Sequence, residues 1–185
     1  MRTALPKEQF TLDEFLDWAG NQEEPFELVD GRIKAMTRDR VAHNRAKLRA
    51  AATLQGAIDR AGLDCESFVD GVGIGLEGRT YRLPDAAVQC GPIDNDALLL
   101  TNPIVVVEVV SPTSEERDVH AKLADYFAVP SIAHYLIVYD DKGLLVHHAR
   151  DGDSVRTTFV REGQLTLDPP GLTVDVADFF AGETI

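Results

Sequence analysis

Residues 103–110 read PIVVVEVV, and the fold turns on why a glutamate stands in a run otherwise made of Pro, Ile and Val. Continuous β-branched residues, without alternation, mark a strand covered on both faces, so this segment is expected to be the central strand of a sheet. An ionised carboxylate inside such a strand costs several kcal/mol unless a metal, a base or a hydrogen-bond donor compensates it. Glu108 therefore needs a partner. A second acid, Asp85, heads another apolar run in RLPDAAVQC, residues 82–90, and raises the same demand.

Downstream, SPTSEERDVHAKLADYFAV (111–129) opens on Ser and Thr cap candidates, carries acids in its first turn and sets Leu123, Tyr126 and Phe127 at helical spacing. A long helix should leave the end of the central strand. After it, HYLIVYD, LLVHHAR, SVRTTFV and LTL, separated by DDKG and DGD, read as a meander of strands, and VADFFAG as a closing helix. Upstream, strands are expected at about 66–75 and 80–90; Gly71, Gly73 and Gly75 alternate within the first and mark a bulge or a close backbone approach. TLDEFLDWAG holds a capping box, Thr11 with Glu14, and ends on Gly20. FELVDGRIKAM reads as a hairpin turning at Asp30-Gly31. From Arg38 to Ala61 an Ala-rich stretch without Pro, ending at Gly62, reads as the longest helix. The order predicts an α/β (α+β) fold, a central mixed β-sheet flanked by helices, and not a doubly wound sheet or a barrel. No GxGxxG or Walker-type loop is present.

The chain has 185 residues, 44% of them hydrophobic, enough for one sizeable core, so a single domain over 1–185 is expected. No apolar run is long enough to span a bilayer, and MRTALPKEQF lacks the apolar centre of a signal peptide; no membrane association and a cytoplasmic location are expected. Cys65 and Cys90 are not spaced as a CxxC, and read as reduced, partly buried thiols without a role.

A net charge of −13 speaks against a generic nucleic-acid binder, because phosphate contacts need Lys and Arg. The charge is uneven: between Arg32 and Arg60 stand eight Lys or Arg against Asp39 and Asp59. On the long helix, Val41, Leu48, Ala51, Ala52 and Ile58 should share the packing side, and Arg38, Arg45, Arg49 and Arg60 an adjacent stripe. The stripe is either a surface that holds a phosphate backbone or a solvated charged flank.

Divalent metals that act on phosphodiesters need hard oxygen ligands on rigid elements with a position open to substrate. If their two strands are neighbours, Asp85 and Glu108 can converge on one ion, with the carbonyl of Val109 as a third oxygen. At this point ELVDG (27–31), LPDAAV (83–88), VVEVVSPTS (106–114) and KLADYFAVPSIAHYLIVYD (122–140) resemble the Uma-type family of putative restriction endonucleases, a branch of the PD-(D/E)xK nucleases. The resemblance runs from about residue 10 to 150. It implies a restriction-endonuclease-like core, Asp85 and Glu108 as Mg²⁺ ligands (Mn²⁺ being the alternative ion), and Glu27 as a third acid at the site. The lysine that the wider superfamily carries two residues after the glutamate is Val110 here. The family's replacement, from the following helix, falls on Lys122. It would orient or deprotonate the attacking water and offset charge in the transition state. His43 matches a histidine often found at the start of the family's long helix, where it would contact a phosphate or cap the site.

Each residue also has an ordinary reading: Asp85 as a strand-entry residue, Glu108 as half of a buried ion pair with Lys122 or an Arg, Lys122 as a helix-surface lysine, Glu27 as an exposed hairpin glutamate, His43 as a satisfied polar contact. His147 and His148 are adjacent on a strand, point to opposite faces and form no two-histidine site by themselves. The function expected is metal-dependent endonuclease hydrolysis of phosphodiester bonds in DNA, and fold-level analogy adds a homodimer with the late strands as a pairing edge or face. The alternatives are a nuclease-fold module that binds partners without useful cleavage, and a hydrolase of some other phosphodiester.

Overall fold

The computed structural model describes residues 9–36, 38–76, 78–110 and 116–180, with no side-chain description for 116–120. In chain order the elements are α1 (Leu12–Ala19), β1 (Phe26–Val29), β2 (Arg32–Ala35), α2 (Val41–Ala61), β3 (Cys65–Val69), β4 (Ile74–Leu76), β5 (Thr80–Arg82), β6 (Ala86–Cys90), β7 (Pro103–Val109), α3 (Glu116–Ala128), β8 (His134–Tyr139), β9 (Leu144–Asp151), β10 (Ser154–Val160), β11 (Gln164–Leu167) and β12 (Leu172–Asp175). Six strands form the main sheet in the order β10-β9-β8-β7-β6-β3. β7 is central, antiparallel to β6 and parallel to β8, as a crossover through α3 requires. Among the described residues no helix is long and apolar enough to cross a membrane.

β7 is covered on both sides. Val105, Val107 and Val109 pack with Ala46, Ala50, Leu54, Ala57 and Ile58 of α2, and Val106 packs with Tyr126 of α3, Tyr135 and Ile137. Glu108 alternates with these valines and so faces α3. A smaller sheet, β2-β1-β5-β4, closes over α1 through Phe15, Leu28 and Tyr81.

Several local readings hold. Thr11 and Glu14 form the reciprocal capping box, Asp30 and Gly31 both take positive φ in the hairpin turn, and Gly62 ends α2 in the left-handed conformation. Others need correction. The runs at 66–75 and 80–90 are not two strands but four: the chain leaves the main sheet at Asp70-Gly71, both at positive φ, forms β4 and β5 in the small sheet, and returns through Leu83-Pro84-Asp85 into β6. Gly73 marks a close approach, since a Cβ there would run into the Tyr81 ring. α2 packs through Ala46, Ala50, Ala51, Leu54, Ala57 and Ile58, whereas Val41 and Leu48, expected on the packing side, are exposed; the small alanine side chains let the helix axis approach the sheet. The closing segment is a short 3₁₀ turn at Val176–Phe179, and β12, which sequence reading overlooked, pairs with β11. The SPT cap candidates and Ser114 fall outside the described residues.

The cysteines are not free thiols. Cys65 and Cys90 stand directly opposite each other in the β3–β6 ladder and form a disulfide. What joins them is strand register, a long-range property that their spacing does not carry. The bridge closes a loop of 25 residues, which by loop entropy contributes about 3 kcal/mol. Reductant, or Cys90→Ser, is expected to lower the melting temperature by several degrees, and thiol titration of the untreated protein to find none reactive. Free thiols with an unchanged melt would refute the bridge.

Candidate active site

Asp85 occupies the bend by which the chain re-enters the main sheet, and the pairing of Ala86 with Val107 sets it against the end of β7. Its Oδ2 accepts a 2.7 Å hydrogen bond from the Val109 amide. Its Oδ1 lies 2.9 Å from Lys47 Nζ, and His43 Nε2 is 3.9 Å from Oδ2. Lys47 comes from the buried face of α2 and also meets Asp39 at 2.6 Å and Asp70 at 2.9 Å. Burial alone would lower the Lys47 pKa; Asp85, Asp39 and Asp70 outweigh it and push it above the ordinary lysine value.

On the opposite face, Glu108 Oε1 receives Lys122 Nζ at 2.8 Å and the Tyr126 hydroxyl at 2.5 Å. Lys122 and Tyr126 are one helical turn apart on α3 and therefore share a face. Lys122 is also 3.5 Å from Glu27. Glu27, on β1 and only 1% exposed, accepts from Arg82 Nη1 at 3.1 Å and from the Leu83 amide at 3.3 Å. Arg82 in turn reaches Asp125 at 2.6 Å. Six carboxylates thus surround three cations (Lys47, Arg82 and Lys122), an arrangement with an excess of negative charge.

The electrostatics follow from burial. Desolvation raises the Glu108 pKa to about 7, with Asp85 adding to the rise and Lys122 and Tyr126 opposing it. For Lys122 burial acts downward, but Glu108 and Glu27 override it and hold the ammonium above its usual value. Tyr126 is driven well above an ordinary phenol by burial and by Glu108.

Glu108, Lys122 and Glu27 are in direct contact, while Asp85, held by Lys47, acts on Glu108 and Lys122 through its charge; Glu27 is buried, not an exposed hairpin residue. Two expectations change. Asp85 is not on a strand but in the bend before one, and its cation is Lys47, while Lys122 serves Glu108 and Glu27. The Val109 amide holds Asp85, a contact separate from the role expected of its carbonyl. The arginines do not make one stripe. Arg38 precedes α2 and lies 3.9 Å from Glu24, Arg45 and Arg60 are exposed on α2, and Arg49 is engaged with Asp140 and the Phe179 carbonyl. His43 sits at the rim, 3.6 Å from Asp39. His147 and His148 do point apart, to His134 and Thr157. Sequence reading missed Lys47, Tyr126 and Arg82. The available signals were a lysine amid the packing alanines of α2, a tyrosine four residues after Lys122, and an arginine within the RLPD motif itself.

A raised carboxyl pKa has a definite consequence for stability. Folded Glu108 holds a proton up to about pH 7, whereas its ordinary value is 4.5. The stabilisation from this group is therefore complete below the lower value and is lost as pH rises through the upper one. The buried His134 and His147, whose pKa values are lowered, act in the opposite sense over the same range, so the Glu108 contribution is read as a difference: relative to Glu108→Gln, wild type should lose stability between pH 5 and pH 8. A mutant that keeps the wild-type pH profile would place the titration elsewhere.

Residues 12–177 match the family model described as "Uma2: Putative restriction endonuclease". An uncharacterised protein of Synechocystis sp. is 30% identical over 183 residues, covering 97% of this chain and 95% of the relative. A second from the same organism is 26% identical over 148 residues, covering 77% and 82%. Among solved structures, a putative nuclease belonging to DUF820 from Anabaena variabilis superposes with a TM-score of 0.71 over 92% of this chain and 97% of that one, at 15% identity. That likeness shows the fold: a central mixed sheet with few helices, shared with a nuclease-like structure.

Proposed function

The chain belongs to the Uma2 family of putative restriction endonucleases, and from that premise we propose that it is a Mg²⁺-dependent endonuclease acting on DNA, with Mn²⁺ as a working substitute. The observation that carries this reading is that Asp85 and Glu108 lie at the same end of β7, near enough for the charge of Asp85 to act on Glu108, each tied to a lysine from a different helix.

The donor set fits a hard dication. Among the described residues no three His, Cys, Asp or Glu gather into a ready metal cage, but Mg²⁺ keeps several waters and takes one or two carboxylates plus substrate phosphate. The excess of acid, and the rise that Asp85 imposes on Glu108, are what a dication would relieve. Asp85 and Glu108 would hold it, with the Val109 carbonyl as a third oxygen and Glu27 as the more distant acid. When bound, such an ion makes water a stronger acid and stabilises charge developing on the phosphoryl oxygens.

The protein's own groups divide the remaining work. Lys122, held charged by Glu108 and Glu27, cannot serve as a base near neutrality and acts as a donor to the charge of the transition state. Lys47 and the Val109 amide fix the orientation of Asp85. His43, Arg38, Arg45 and Arg60 are the groups left to contact the DNA backbone; Arg49 is committed to Asp140.

A second reading, a nuclease-fold module that binds without cutting, is favoured by one observation: both central carboxylates already have protein cations. Calorimetric titration of Mg²⁺ and Mn²⁺ into wild type and Glu108→Gln, beside cleavage of plasmid and single-stranded DNA, separates the two. Saturable binding lost in the mutant, with cleavage that follows the metal, supports the nuclease. Absence of binding, with or without DNA, would give the second reading the lead. Competition by duplex DNA against a small chromogenic phosphodiester tests the substrate class, and no competition would count against DNA.

A further inference from the structure

We propose that the outer edge of β10 pairs antiparallel with the β10 edge of a second copy of this chain, about a two-fold axis through Thr157. β10 ends the main sheet, and among the described residues nothing is paired to its outer side. The hairpin register decides which residues offer free backbone. Arg150 on β9 sends its N–H to Ala133 on the far side, and it is Arg150, His148 and Val146 that stand opposite Val155, Thr157 and Phe159. By the alternation of an antiparallel ladder, Val155, Thr157 and Phe159 therefore turn their N–H and C=O groups outward.

The sequence of this edge is complementary to itself. With the axis on Thr157, that residue meets the partner's Thr157, Val155 meets the partner's Phe159, and Asp153 meets the partner's Arg161. The first two are outward-facing positions, so the pairing uses free amides throughout. Phe159 is 71% exposed and Val155 40%, and cross-strand aromatic–β-branched pairs are among the contacts that stabilise sheets. Asp153 and Arg161 are exposed and opposite in charge. A register about Phe159 would pair that residue with itself and Arg156 with Glu162, but it leaves Val155 outside the paired segment.

The two ends of the sheet differ in a way that fits. On β3, the opposite edge, the Ser67 N–H is capped by Gln55 of α2 and the Ser67 hydroxyl by the Ala51 carbonyl, a covering that blunts an edge. β10 has an aromatic residue where a protected edge would carry charge. Joined in this way, two six-stranded sheets become one continuous sheet, with one candidate active site in each half.

The test reads mass and not cleavage, so its failure is separable from failure of the nuclease reading. Sedimentation of the full chain over a hundredfold range of concentration should show a monomer–dimer equilibrium. Phe159→Glu and Asp153→Arg, both at exposed positions, should each weaken the dimer at least tenfold with an unchanged circular dichroism spectrum. Asp153→Arg combined with Arg161→Asp should restore it. Thr157→Cys should cross-link to itself on oxidation, because directly opposed, hydrogen-bonded residues lie about 5.5 Å apart, within disulfide reach, whereas Thr158→Cys should not. A monomer throughout the range, or a dimer indifferent to Asp153→Arg and Phe159→Glu, would overturn the proposal.

Discussion

Arg82→Met should destabilise the protein by about 3–5 kcal/mol, the scale on which removing one partner of a buried ion pair leaves the other charge stranded. Arg82 is among the most deeply buried large side chains, and its guanidinium joins Glu27 at 3.1 Å to Asp125 at 2.6 Å. Without it Glu27, itself buried, keeps Lys122 at 3.5 Å and the Leu83 amide at 3.3 Å. Lys122 is already shared with Glu108, so it cannot replace a full charge. The single mutant tests burial; a double mutant tests cause. Arg82→Met with Glu27→Gln should recover a substantial part of the loss, because the stranded carboxylate is removed while an amide oxygen remains for Leu83. Denaturant unfolding of the four members of the cycle measures the coupling. If the double mutant were as unstable as the sum of the singles, the Arg82 contribution would be packing and not charge.

The cost of this network explains how far the sequence could be read. Glu108 was conspicuous because it interrupts a run of valines, and a buried strand tolerates such an interruption only with compensation; the need for a partner was legible from residues 103–110 alone. Which partner was not. Lys47 precedes Asp85 by a long stretch of chain, and it reaches the acid because α2 packs through Ala46, Ala50 and Leu54, a phase concealed by the larger Val41 and Leu48, which face solvent. Likewise the disulfide and the division of residues 66–90 between two sheets follow from tertiary pairing. Asp70 and Gly71 turn the chain out, and Pro84 and Asp85 bring it back, but single-strand patterning treats both corners as parts of longer strands. Turn and cap chemistry, being local, read correctly at Thr11, Asp30 and Gly62.

The same network makes Asp85→Asn the sharper functional experiment, because here fold and chemistry should part. Asparagine retains an oxygen for the Val109 amide, which would otherwise lose the 2.7 Å bond that fixes the end of β7. Lys47, deprived of one carboxylate, still meets Asp39 at 2.6 Å and Asp70 at 2.9 Å, so no unpaired cation is left in the interior. Asp85 also raises the Glu108 pKa; neutralising it should let Glu108 ionise more easily and offset part of any loss. The melting temperature is therefore expected to stay within a few degrees of wild type, or to rise near pH 8. Metal-dependent cleavage should nevertheless fall by roughly 10²- to 10³-fold, the range seen when one fixed charge-stabilising group is lost from an active site. A stable Asp85→Asn protein that cleaves as wild type would mean that Asp85 serves only to anchor Lys47. A stable protein that neither cleaves nor binds Mn²⁺ would mean that the pairing with Lys47 holds the carboxylate in place for an ion that completes the charge balance of the site.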